Sequence, residues 1–219
     1  MRLTRSLLRS GAIAAPLFVV VFTIAGALRP GYDPMRHPVS SLALGPGGWV
    51  QTVNFLVTGA LMLAFAAGSR HALRQRGGPG ALWTPLLVGT YAVGLIGAGV
   101  FVTDPVSGYP PGAPDELVYT TVGTLHDVFS VPVFVALTLA CFVMARHFGH
   151  HRQFGLASYS LATGVLFAAG FLLAGIGFAQ TPGLVEIAGA LQRVTIATGW
   201  AWLTVLAIHL LRTLDADGG

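Results

Sequence analysis

The chain has 219 residues, of which 54% are hydrophobic and only 9% charged, against roughly 25% charged in an average soluble domain. With a mean hydropathy of +0.73, it could not cover the surface of a soluble globule. Its formal charge of +4 is scattered over short stretches between apolar blocks. That distribution is membrane topology rather than a nucleic-acid-binding stripe.

A membrane-spanning helix needs about 20 mostly apolar residues. Six segments qualify in chain order: 11–28, 50–68, 81–102, 123–145, 154–179 and 187–211. None alternates with a period of two, which excludes a β-barrel pattern. The expected fold is therefore all-α, a polytopic helical bundle with one membrane domain over 11–211. A short segment, 1–10, precedes it and a tail, 212–219, follows. The first segment also has features of a cleavable signal, with basic residues, an apolar stretch and Ala25-Gly26-Ala27. Its length and the Arg29-Pro30 that follows at once favour a retained helix. The single cysteine, Cys141, lies inside an apolar segment, so neither an intrachain disulfide nor a cysteine-built metal site is expected.

The loops set the expected orientation. All twelve basic side chains are Arg. Arg2, Arg5 and Arg9 precede the first helix, and Arg70, Arg74 and Arg76 lie between the second and third. Arg146 and Arg152 lie between the fourth and fifth, and Arg212 follows the sixth. The connection between helices three and four has no Arg but carries Asp104, Asp115 and Glu116, and the one between five and six carries only Glu186. Positive charge marks the cytoplasmic side, which places both termini in the cytoplasm. Arg29 and Arg36, in the first connection, run against this bias.

Trp49 and Trp83 fall at expected helix ends, where the indole prefers the interface, whereas Trp200 and Trp202 fall in mid-helix and read as packing residues. Helix three holds Gly89, Gly94, Gly97 and Gly99, and helix five Gly164, Gly170, Gly175 and Gly177. Small residues let backbones approach closely in lipid, so these are expected to be the most tightly packed helices.

Helices two, four and six open alike, with Gly48-Trp49-Val50-Gln51-Thr52-Val53, Gly123-Thr124-Leu125-His126-Asp127-Val128 and Gly189-Ala190-Leu191-Gln192-Arg193-Val194. The pattern suggests three tandem helical hairpins, although Gly and a polar residue flank many helices without any repeat. It places Gln51, His126 and Gln192 at equivalent depths. From His126 to Ala145 is 19 residues, about 28 Å of helix and close to the full hydrocarbon thickness. His126 is thus expected at the outer boundary.

Polar residues concentrate at that end. The first connection offers Arg29, Asp33, Arg36, His37, Ser40 and Ser41. Gln51 opens helix two, Asp104 closes helix three, His126 and Asp127 open helix four, and Gln192 and Arg193 open helix six. Ionisable groups at membrane depth are costly and usually face protein or a wet cavity, so a shared extracytoplasmic pocket is expected. Three readings follow. In the first the cluster is a strut, with Arg193 and Arg29 pairing with Asp104 or Asp127. In the second it binds a small polar molecule, an ion or a lipid headgroup. In the third His126 works with carboxylates, or shares a metal with His37, as a membrane-embedded enzyme. There is no HExxH motif, and Ser40 and Ser41 lack a nucleophile-elbow context. At the opposite end His71, His147, His150, His151 and His209 include paired histidines of the kind that ligate haem. Their position at helix ends beside Arg explains them equally well. No motif specifies a cofactor, a metal or an oligomeric state; the lipid bilayer is the one partner implied.

The stretch Arg29-Pro30-Gly31-Tyr32-Asp33-Pro34, then His37-Pro38-Val39-Ser40-Ser41-Leu42, then Gly48-Trp49-Val50-Gln51 with Asn54-Phe55 and Gly59 resembles the opening of a bacterial membrane family, domain of unknown function 998. Gly99-Val100-Phe101 before Asp104-Pro105, His126, and Gln192-Arg193 extend the resemblance over roughly 10–210. An acidic residue is the more usual occupant of the Gln192 position. The resemblance implies a multi-helix protein of the bacterial cytoplasmic membrane with no established activity. It directs attention to Arg29, Asp33, His37, Ser40, Ser41, Asp104 and His126.

Overall fold

The computed structural model describes residues 2–74 and 77–216; Arg76 and the end of the tail lie outside the described residues. Six helices are present: α1 (Arg2–Leu28), α2 (Trp49–Arg74), α3 (Gly78–Val100), α4 (Thr121–His150), α5 (Phe154–Phe178) and α6 (Ala188–Ala216). Each is long and apolar enough to cross a membrane. Lipid offers no partner for backbone N–H and C=O groups, so an apolar run must satisfy them within itself, as a helix does. The same bonding continues past the apolar runs. Residues 2–10 form the first turns of α1, with Leu8 buried and Ser10 Oγ donating to Leu61 O at 2.8 Å.

Each helix packs on the helices before and after it in sequence, and α1 closes on α6. The result is a ring of alternating helices. Three residues, 151–153, suffice to reverse the chain between α4 and α5, at the end where α1 begins and α6 ends. The long connections, 29–48, 101–120 and 179–187, meet at the other end and fold over it as a cap. The first contains a 3-10 helix, Val39–Ala43.

Aromatic side chains fill the middle of the ring. Phe18 of α1 stacks on Trp200 of α6 at 5.1 Å, and Tyr91 of α3 meets Trp200 edge-on at 5.5 Å. Phe134 of α4 stacks on Phe171 of α5 at 4.3 Å. Trp202 is buried and donates Nε1–H to Ser160 Oγ at 3.0 Å. Trp49 and Trp83 are exposed at helix starts, as expected of interfacial indoles.

The glycine expectation divides. On α3, a β-carbon at Gly97 would collide with the Phe129 ring, and one at Gly99 would lie 2.9 Å from Phe55 Cβ. Over its most apolar stretch α3 is 56% buried, the most of any helix. Helix α5 has close glycines too, with Gly170 against Thr195 and Gly164 against Phe142, yet its corresponding stretch is only 28% buried, the least of the six. The expectation that α5 would be among the two most tightly packed helices is not met. Glycine permits close approach on one face, while ring position decides how many faces have neighbours. Gly89 and Gly175 have nothing within 4 Å of an added β-carbon.

Candidate functional site

The cap is built on backbone carbonyls held by arginine. Arg29 donates Nη1–H to Leu44 O at 2.8 Å and Pro46 O at 2.7 Å, and Nη2–H to Leu42 O at 3.0 Å. Arg193, on the first turns of α6, reaches back to the same connection. Its Nη1 donates to Pro34 O at 2.6 Å, His37 O at 3.0 Å and Gly189 O at 2.9 Å, and its Nη2 donates to the Tyr32 hydroxyl. The guanidinium also sits 5.3 Å from the Tyr32 ring centroid. Tyr32 in turn donates to Pro38 O at 2.9 Å, and burial pushes its pKa up to about 12. The ion pairs expected between Arg29 or Arg193 and Asp104 or Asp127 are absent among the described residues. The reason is geometric: a planar fork of N–H groups matches the converging carbonyls of a loop without regular structure, which would otherwise be left unpaired.

The other cap contacts follow the same logic. Arg36 pairs with Asp115 at 2.9 Å across two connections. Asp33 is exposed and accepts from Met35 N at 2.8 Å, an Asx turn. Gln180 donates to Ser107 Oγ at 2.9 Å, tying in the third connection. Tyr109 packs against both Tyr32, at 5.2 Å, and His37, at 5.1 Å. Ser41 is fully buried, and its hydroxyl has no partner among the described residues.

The shared glycines of the three helix openings have a common cause. A β-carbon at Gly48 would collide with Ala43 O, one at Gly123 with the Asp104 carboxylate, and one at Gly189 would lie 2.6 Å from His37 O. Each opening therefore receives a connecting-loop oxygen against bare backbone. The polar residues that follow diverge. Gln51 is buried beside Asn54, whose Nδ2 donates to Phe18 O at 3.1 Å, and Gln192 Oε1 accepts from Val39 N at 2.8 Å.

The two histidines at this end differ in kind. His37 accepts at Nδ1 from Asp33 N at 2.8 Å, so its Nε2, 3.1 Å from Ser107 O, must be the donor. It is a neutral ring with both nitrogens engaged, and burial lowers its pKa below the ordinary 6.5. It cannot also ligate a metal, so the expected His37–His126 metal pair is not formed. His126 is 4% exposed. Its Nδ1 lies 3.1 Å from Ala98 O and 2.8 Å from Phe101 O at the end of α3. Both partners are acceptors, so Nδ1 carries a proton, and in the neutral ring Nε2 keeps a lone pair that has no partner among the described residues.

That lone pair belongs to a cavity. About 200 Å³ of space runs beneath the cap into the ring, far more than the ~10–15 Å³ one water needs. Its polar lining is Ser40, Thr103, Asp104, His126, Asp127, Ser130 and Gln192. Its deeper walls are Phe18, Phe55, Tyr91, Phe134, Phe167, Phe171 and Trp200. From His126 to Phe134 along α4, and from Gln192 to Trp200 along α6, is eight residues in each case, or about 12 Å. Below the aromatic floor Met62, Leu137, Met144, Leu203 and Leu206 are fully buried, so the cavity is a dead end. Asp127 and Val131, one turn apart on α4, line it and are also exposed. They mark an opening on the side of the ring.

The two aspartates divide as the histidines do. Asp104 is buried and accepts from Thr120 N at 2.7 Å and Thr120 Oγ1 at 2.6 Å. Thr120 caps α4 by accepting from Gly123 N at 3.1 Å. Asp127 has no hydrogen-bond or ion-pair partner among the described residues, although Asp104 and His126 are within electrostatic reach of it. Of the twelve residues anticipated, Ser40, Asp104, His126, Asp127 and Gln192 share the cavity. Arg29, Asp33, Arg36, His37, Ser41 and Arg193 build the cap, and Gln51 lies in the α1–α2 contact. The aromatic walls, Tyr32 and Thr120 were not anticipated. Only Thr120, a hydroxyl just before a helix, left a readable local signal. At the other end His147 is buried against Gly80 of α3, and its ring lies 4.6 Å from that of His151, one turn along.

These features define an integral, multi-pass membrane protein with a capped, blind cavity. The family model "Protein of unknown function (DUF998)" matches residues 12–209, and the chain belongs to that family. No curated protein and no solved structure matches it.

Proposed function

We propose that this protein binds an amphiphile from the bilayer, with the apolar chain among the cavity aromatics and the polar head beneath the cap. The carrying observation is the gradient along one cavity, from His126, Asp127 and Gln192 at the rim to Phe134, Tyr91 and Trp200 at the floor. A water-soluble ligand would gain little from an aromatic floor, and a simple lipid tail would leave the polar rim unpaired. The blind floor favours binding over conduction. The arginine bias supports a cap that faces away from the cytoplasm, in the bacterial cytoplasmic membrane that the family resemblance implies. The lateral opening then meets the outer leaflet.

Native mass spectrometry of gently solubilised protein should show a retained lipid. Leu95→Trp fills the cavity from α3 and should remove that lipid without lowering the melting temperature. A lipid-free wild type that also takes up no lipid on reconstitution would end this reading. The enzymatic alternative uses the same atom, because His126 Nε2 is oriented to take a proton from a bound head. It expects the mass of the retained lipid to change over time in wild type and not in His126→Phe.

A further inference from the structure

The rim chemistry narrows the head group, granted the amphiphile reading above. The charged groups facing the cavity are both carboxylates, and the unspent donors beside them, such as Gln192 Nε2, are neutral. His126 is more than nine-tenths buried, and with Nδ1 turned to α3 its unpartnered Nε2 is the polar atom left for the cavity. Asp127 brings a carboxylate with no partner among the described residues, and Asp104 spends only two acceptor sites on Thr120. No cation balances them. The described lining contains no arginine, and the chain has no lysine. The nearby guanidiniums of Arg29 and Arg193 are committed to cap carbonyls.

We propose that the site selects amphiphiles whose head donates hydrogen bonds and carries positive charge, long-chain amines above all, and rejects phosphate and carboxylate heads. A protonated amine supplies donors to His126 Nε2 and to the Asp127 carboxylate at once, and hydrogen bonds between charged groups are the strong ones. A neutral hydroxyl satisfies the histidine but leaves the carboxylate without a counter-charge. An anionic head would be desolvated beside two carboxylates, and like charges at that range repel. The hydroxyls of Ser40 and Ser130 and the Gln192 Nε2 amide offer an anion donors but no charge.

Four probes with one hexadecyl chain test this: the amine, alcohol, carboxylate and phosphate. Each is titrated into the full-length protein in phosphatidylcholine nanodiscs and read by Trp200 fluorescence, with Trp200→Phe as blank and protein-free discs correcting for partition. The amine should bind about tenfold or more tighter than the alcohol, and the two anions weakest. Asp127→Asn should erase the margin of amine over alcohol. His126→Phe should weaken both severalfold. Equal binding of all four heads would overturn the head-group selection while leaving the amphiphile reading standing. So would an anion that binds as tightly as the amine, or a margin that survives Asp127→Asn. Failure of every probe to bind wild type would overturn both.

Discussion

The cap and the cavity rim lie side by side and draw on the same residue types, but they use them in opposite ways. In the cap, Arg193 spends its hydrogens on three carbonyls and a phenol, and His37 uses both ring nitrogens. At the rim, His126 uses one nitrogen and Asp127 none of its oxygens on protein among the described residues. Satisfied polar groups rigidify a structure, whereas acceptors left open beside a cavity are what the proposed ligand reading draws on. The difference between the strut and the proposed site therefore rests on which hydrogen-bonding valences remain unspent, and burial alone does not report it. His37 at 6% and His126 at 4% exposure are equally hidden.

The sharpest test breaks the strut. Arg193→Ala would leave three carbonyls and the Tyr32 hydroxyl short of a donor, and should cost about 3 kcal/mol in reversible unfolding in mixed micelles. Arg193→Lys should recover only part of that, because a single ammonium cannot reproduce the fork. A loss below about 1 kcal/mol, the ordinary range for surface changes, would remove Arg193 from the cap's foundations.

The two aspartates extend the comparison at smaller amplitude. Asp104→Asn keeps the side chain's shape but removes the charge that holds the Thr120 cap on α4, and should cost about 1–2 kcal/mol. Asp127→Asn removes a carboxylate with no protein partner and should leave unfolding unchanged or slightly improved. Equal losses from both substitutions would dissolve the distinction between them.

The smallest effect is a pH dependence. Burial holds His37 neutral with a pKa below the ordinary 6.5. Below that value the unfolded chain takes up a proton that the folded ring resists, so the unfolded state binds more protons and stability rises with pH there. The contribution is complete above 6.5 and is lost as pH falls towards the lowered folded pKa. Melting curves between about pH 7 and pH 5 should show a steeper acid-side decline in wild type than in His37→Gln. Identical declines would mean that His37 charges freely in the folded protein.

The sequence by itself determined the number and rough extent of the helices, because lipid forces each apolar run to pair its own backbone, whatever surrounds it. It likewise located Trp49 and Trp83 at helix starts and the end of the bundle where polar residues gather. Only the tertiary structure decided which residues share a site. The helices are apolar on nearly every side, so no stripe tells the wall of a cavity from the face in lipid, and Phe134, Phe167 and Trp200 could not be told from packing residues in advance. Counting charges led naturally to pairing Arg193 with Asp104. The folded first connection brings the carbonyls of Pro34 and His37 to that arginine instead, and Thr120 to Asp104. Which ring nitrogen of His126 holds a proton follows from neighbours 25 residues away or more, and no local pattern carries that information, whereas at His37 the Asp33 N–H four residues back already sets it.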